Sequence, residues 1–143
     1  MKQLVLALLV VLSMASVGQA ACQSKTIFSC MTSKGKQIEV CDSGSTIEYS
    51  FGKPHAKPEK YLKLPRNQVT TTQWAGIGRH ISYSVEIPSG DTVYSVFSSF
   101  DKIENKDEAG VAVIIKGKYV TTVQCSGKEV VNNLEGVKLK PTE

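Results

Sequence analysis

An all-β fold, a small antiparallel β-barrel or sandwich of about seven to eight disulfide-linked strands, follows from three observations. Short alternating or β-branched runs recur between turn signals rich in Gly, Pro, Asp and Ser, and no helical apolar period persists through them. Four cysteines, Cys22, Cys30, Cys41 and Cys125, follow an export leader, and an even count in an exported chain reads as two disulfides. The 143 residues hold one domain, and 41% apolar residues are enough to give it a core.

Residues 1–20 read as a secretory signal peptide. Lys2 is the positive head, residues 4–12 are uninterrupted apolar, and Gly18-Gln19-Ala20 sets small residues at the two positions a signal peptidase reads. The apolar run is far shorter than the roughly 20 residues of a membrane helix, and no second run follows. Cleavage is therefore expected after Ala20, leaving a single β domain at 21–143 with no transmembrane segment, in the periplasm or secreted. Gln19 stands where a lipoprotein signal before Cys22 would carry Leu, so a lipid anchor is not expected.

The elements follow in order. Residues 25–31 and 36–41 form a hairpin through Ser33-Lys34-Gly35, and Asp42-Ser43-Gly44 turns the chain into 45–51. Pro54 and Pro58 mark a surface loop carrying His55, after which 60–64 is a short strand ended by Pro65. The clearest alternation places Ile81, Tyr83, Val85 and Ile87 on one face against His80, Ser82, Ser84 and Glu86 on the other, a strand with a dry and a wet side. Pro88-Ser89-Gly90-Asp91 returns it into 92–100. Residues 111–115 are apolar on both parities and are expected to be buried on both faces. Lys116-Gly117 then makes a tight hairpin into 118–125. In the tail, Val130, Val131, Leu134 and Val137 are expected to pack a short turn onto the domain edge before a frayed 140–143. Tyr49, Phe51, Tyr94 and Phe97 read as core.

Strand geometry favours pairing Cys30 with Cys125, which would tie the first strand to the last, and leaves Cys22 for Cys41. Pairing of Cys30 with Cys41 across the first hairpin stays open. Closure from first strand to last favours the barrel over the sandwich.

The chemistry the chain lacks is informative. His55 and His80 are the two histidines, no Gly-x-Ser-x-Gly elbow occurs, and the cysteines are accounted for by disulfides, so nucleophilic catalysis has no frame. Absence of Cys-x-x-Cys and His-Glu-x-x-His removes a thioredoxin-like site and the usual zinc sites. Asp101, Glu104, Asp107 and Glu108 gather in one stretch, but their spacing is not that of a calcium loop, and they read as a solvated hairpin loop. Seventeen Lys and Arg stand against 13 Asp and Glu, and the cations are scattered, which argues against nucleic acid. No cofactor and no metal is expected, and the chain reads as a binding protein and not an enzyme.

The most distinctive stretch is 70–80, which holds Trp74, Gly76, Gly78, Arg79 and His80 between two strands. One reading makes Trp74, Arg79 and His80 anchors of a binding loop, since Trp and Arg dominate interface hot spots. The other, which is preferred, makes Trp74 a core residue followed by a glycine-permitted bend at a barrel corner.

The pattern Phe28-Ser29-Cys30, Gly35-Lys36-Gln37-Ile38, Cys41-Asp42, Tyr49-Ser50-Phe51-Gly52, Trp74-Ala75-Gly76-Ile77-Gly78-Arg79 and Tyr94-Ser95-Val96-Phe97 resembles a family of small exported bacterial proteins of unassigned activity. More distantly, a first-strand cysteine, a strand meander and a cysteine closing the last strand resemble the periplasmic and membrane-bound inhibitors of c-type lysozyme. That second resemblance implies a small antiparallel barrel whose Ser-Gly-x-x-Tyr loop enters the lysozyme cleft. Residues 76–83 are only a loose analogue of that loop. The expectation is an exported inhibitor or immunity factor against a cell-wall hydrolase, or alternatively a periplasmic module for a small ligand or glycan.

Overall fold

The protein is described by a computed structural model covering residues 22–143; the expected signal peptide and its cleavage site lie outside the described residues. In chain order the strands are β1 (Lys25–Met31), β2 (Gln37–Asp42), β3 (Thr46–Gly52), β4 (Lys60–Pro65), β5 (Thr70–Thr72), β6 (His80–Ser89), β7 (Thr92–Asp101), β8 (Lys106–Ile115), β9 (Lys118–Gln124), β10 (Val131–Asn132) and β11 (Lys140–Pro141). Eight of them have six or more residues, which is the all-β meander the alternation calls for.

They form two sheets, ordered β10-β1-β2-β3-β4 and β11-β5-β6-β7-β8-β9. The architecture is therefore sandwich-like, and the barrel preferred from the sequence is not realised. Closure would need a ladder between the first and last long strands, whereas the link amounts to one isolated bridge, Thr32 to Cys125. At that corner Ser126 N–H donates to Met31 O at 2.8 Å.

Strand parity builds the core. Ile38 and Val40 of β2, Ile47 and Tyr49 of β3, Val85 and Ile87 of β6, Val96 of β7 and Val111 of β8 all turn between the sheets. In β1 both Ile27 and Phe28 are buried, because a bulge between Thr26 and Phe28 lets two successive side chains turn inward. Tyr49 stacks on Tyr94 across the sandwich at 5.2 Å between ring centroids. Phe51 and Tyr94 pack against this core as expected. Phe97 does not belong to it. With Val96 facing in, parity turns Phe97 to the outer face, opposite Ser84 and Gly110.

Two further expectations are corrected. In the segment 111–115 Val111 is buried, its neighbours are half-buried and Ile115 is exposed, because no layer covers the outer face of the second sheet. The tail is not frayed at 140–143: β11 pairs in parallel with β5, and Thr142 N–H donates to Thr71 O at 2.9 Å. Since β10 pairs with β1, the tail straps both sheets, with Leu134 fully buried between its two anchoring points.

The disulfides are Cys22–Cys41 and Cys30–Cys125. Cys30 with Cys41 is not formed, because Cys30 points inward from β1 whereas Cys41 lies on the outer face of β2. Among the described residues no helix is long and apolar enough to cross a membrane.

Candidate functional site

β6 to β8 have ten residues each, against six or seven in β1 to β4. At about 3.3 Å per residue they outrun the first sheet by roughly 10 Å. Ile81 and Phe100, opposite one another across β6 and β7, are only half-buried. Beyond them the chain builds two neighbouring loops, 73–79 before β6 and 102–105 between β7 and β8.

The first loop turns on Gly76 and Gly78, at φ of +85° and +103°. No atom lies within 4 Å of where their Cβ would stand, so backbone freedom and not close packing requires glycine there. Trp74 is half-buried and outside the core cluster, which corrects the preferred core reading. Its indole N–H donates to Ile77 O at 3.1 Å, folding the loop on its own ring, and Lys102 Nζ sits 5.3 Å from the ring centroid.

An ion pair locks the two loops together. Arg79 Nε donates to Asp101 Oδ1 at 2.8 Å and Oδ2 at 2.9 Å, with Nη2 2.7 Å from Oδ2. Lys102 N–H donates to Arg79 O at 3.1 Å, while Asp101 Oδ1 also accepts from the amides of Ile103 and Glu104. The bond from Arg79, helped by these amides, holds the Asp101 carboxyl far below the usual carboxylate range. The same bond raises the Arg79 guanidinium. Arg79 is thus held in place by Asp101 while its side chain stays 43% exposed. His80 Nε2 lies 3.5 Å from Asp101 Oδ2, so the structure does bring Arg79 and His80 onto one carboxylate, with Trp74 on the adjoining loop.

Two side chains that sequence reasoning passed over point outward: Ile77 is 83% exposed and Ile103 is 74% exposed. Their signal was present, since an apolar residue between two glycines, or within Asp101-Lys102-Ile103-Glu104, has no strand partner to cover it. The expected acidic loop is also smaller than predicted. Asp107 and Glu108 belong to β8, where they alternate to opposite faces, so Asp107 stands apart while Asp101, Glu104 and Glu108 line one small pocket with His80. His55 sits at a positive φ in the exposed loop joining β3 and β4, on the other sheet from His80.

Among the described residues, the grouped potential metal ligands are Cys22, Glu39 and Cys41, two of which are joined in a disulfide. What fold and site define is a disulfide-linked β-sandwich presenting a rigid, apolar-tipped loop pair at one end. No protein-family model, curated protein or solved structure matches the chain.

Proposed function

We propose that the protein is an exported, non-catalytic binding domain of the periplasm that acts as an inhibitor or immunity factor against a cell-wall hydrolase. The observation that carries this reading is the pair of solvent-facing isoleucines, Ile77 and Ile103, on loops clamped by Arg79 and Asp101. Preorganised loops lose little conformational freedom on docking, and apolar tips ringed by Arg79, His80 and Lys102 have the composition of an interface centre with a polar rim. The two disulfides, together with the signal peptide expected from residues 1–20, support placement in an oxidising compartment.

Titrating the oxidised mature protein into lysozymes and cell-wall amidases tests the reading. Saturable loss of hydrolysis is expected, weakened about 100-fold by Ile77→Asp with Ile103→Asp. Full activity of every hydrolase at saturating protein would remove the inhibitor reading.

The second reading, a small-ligand or glycan module, is favoured by an open cleft of about 410 Å³ on the outer face of the first sheet, where Tyr61, Glu48, Ser50 and Lys63 face solvent together. Quenching or shift of tyrosine fluorescence by peptidoglycan fragments, lost in Tyr61→Ala, is its expected signature.

A further inference from the structure

On β2, alternation sends Ile38 and Val40 into the core and leaves Glu39 and Cys41 on the outer face, in the wall of the cleft just described. Cys22, just ahead of β1, crosses that face to reach Cys41. Glu39 is only 6% exposed although no strand covers it, because the disulfide and the polar side chains of neighbouring strands crowd over it. A Glu39 carboxylate oxygen and the two sulfurs all lie within 4.8 Å of one another. Gln37 Nε2 donates to Glu39 Oε2 at 3.3 Å and to Ser29 Oγ at 3.1 Å, which fixes the carboxyl in the cleft wall.

We propose that Cys22–Cys41 is an exchange-active disulfide, with Glu39 as proton donor to the departing Cys41 sulfur and an external thiol as co-reactant. The external thiolate attacks Cys22 Sγ, since Cys22 is half-buried and Cys41 buried. A bond forms between the attacking sulfur and Cys22, and the bond between Cys22 and Cys41 breaks with its electron pair passing to Cys41. Cys41, at 6% exposure, would be left as a poorly solvated thiolate, and the Glu39 carboxyl proton neutralises it. A second external thiol then releases Cys22. In sum, two external thiols become a disulfide, Cys22 and Cys41 become thiols, and solvent reprotonates Glu39.

The surroundings keep the donor supplied. Burial, reinforced by the charge of Glu48 on β3, raises Glu39 above the ordinary carboxyl value. Glu48 itself is lowered below the ordinary carboxyl value: Tyr61 Oη donates to it at 2.5 Å and Ser43 Oγ at 2.7 Å, with Lys63 beside it on β4. The cleft thus pushes its two carboxyls apart, Glu39 toward keeping its proton and Glu48 toward giving it up. Opening also leaves the fold standing, because Cys22 precedes β1 and the pairing of β1 with β2 runs through backbone bonds from Lys25 to Met31.

The test uses the oxidised mature protein and dithiothreitol across mildly acidic to mildly alkaline pH, with alkylation at timed intervals and peptide mass mapping. Cys22 and Cys41 are expected to open at least about tenfold faster than Cys30 and Cys125, and glutathione is expected to be trapped on Cys22. Both bridges see the same attacking thiolate, so the ratio of their opening rates isolates the donor. That ratio should fall as pH rises through the Glu39 titration. Glu39→Gln should slow the first bridge about tenfold in the acidic range, with the two proteins converging at alkaline pH. Equal opening of the two bridges, trapping on Cys41, or an unchanged rate in Glu39→Gln would each overturn the proposal. If Glu39→Gln does not fold, as judged by circular dichroism, the wild-type ratio decides alone, and a ratio flat with pH overturns it.

Discussion

The two disulfides are made of the same bond in opposite surroundings. Cys30–Cys125 joins residues 95 apart, lies against the core with Cys30 1% exposed, and fastens one sheet to the other at their single bridge. Cys22–Cys41 joins residues 19 apart on an outer face, lines an open cleft and has a carboxyl beside its sulfurs. Among the described residues no comparable carboxylate group surrounds Cys30 and Cys125. Position thus separates a bond that restrains the chain from one placed to react, and the difference comes from which face of its strand each cysteine occupies.

Removing each bridge breaks the comparison most directly. Cys30→Ser with Cys125→Ser is expected to lower unfolding free energy by about 4 to 5 kcal/mol, through the released loop entropy. Cys22→Ser with Cys41→Ser should cost about 3 kcal/mol, the shorter loop alone accounting for the smaller effect. Urea unfolding of both double variants measures the gap, and a larger loss at Cys22 and Cys41 would reverse the assignment of roles.

Glu39 sharpens the contrast by pH. Its folded value lies above the unfolded 4.5, so the folded state binds the extra proton, and its contribution to stability falls as pH rises above 4.5 until the folded group has ionised. Glu39→Gln should therefore gain stability relative to wild type at neutral pH, while losing reactivity at the bridge. Melting temperatures across pH check the sign.

Asp101 runs the other way. Because Arg79 and two amides depress its folded value, its contribution is present above the ordinary 3.8 and is lost as pH falls below it. Asp101→Asn should flatten that acid limb and raise amide exchange in 102–105, leaving both disulfides untouched. The smallest effect belongs to Ile77→Asp with Ile103→Asp. Exposed positions of this kind shift stability by no more than about 0.5 kcal/mol, so a loss of binding there with unchanged melting separates the interface from the scaffold.

Much of the scaffold was legible in the chain. β1 was read to its last residue, Lys25–Met31, and Gly35, Gly44 and Gly117 all fall at turns with positive φ. The same holds for the pairing of Cys30 with Cys125, because an inward cysteine near each end of the meander has few partners. Residues apolar on both parities were not legible. Phe97 and Ile114 look like core in sequence and face outward, since nothing local says which side of a sheet receives a second layer. Of the candidate site, Trp74, Arg79 and His80 were found as a loop, but the carboxylate that organises it, Asp101, lies 22 residues from Arg79 and was read only as part of a solvated acidic loop. Glu39 was equally silent, its 6% exposure arising from neighbours brought in by β1, β3 and the disulfide.

By itself the sequence determined the all-β class, the oxidised cysteines, the first hairpin and the glycine turns, all of which depend on residues within a few positions of one another. The tertiary structure decided that two sheets stack without closing, that the tail straps them, and that Ile77, Ile103 and Glu39 occupy chemically consequential places. Those outcomes rest on contacts between residues distant in sequence, where burial and charge are set by whatever the fold brings alongside.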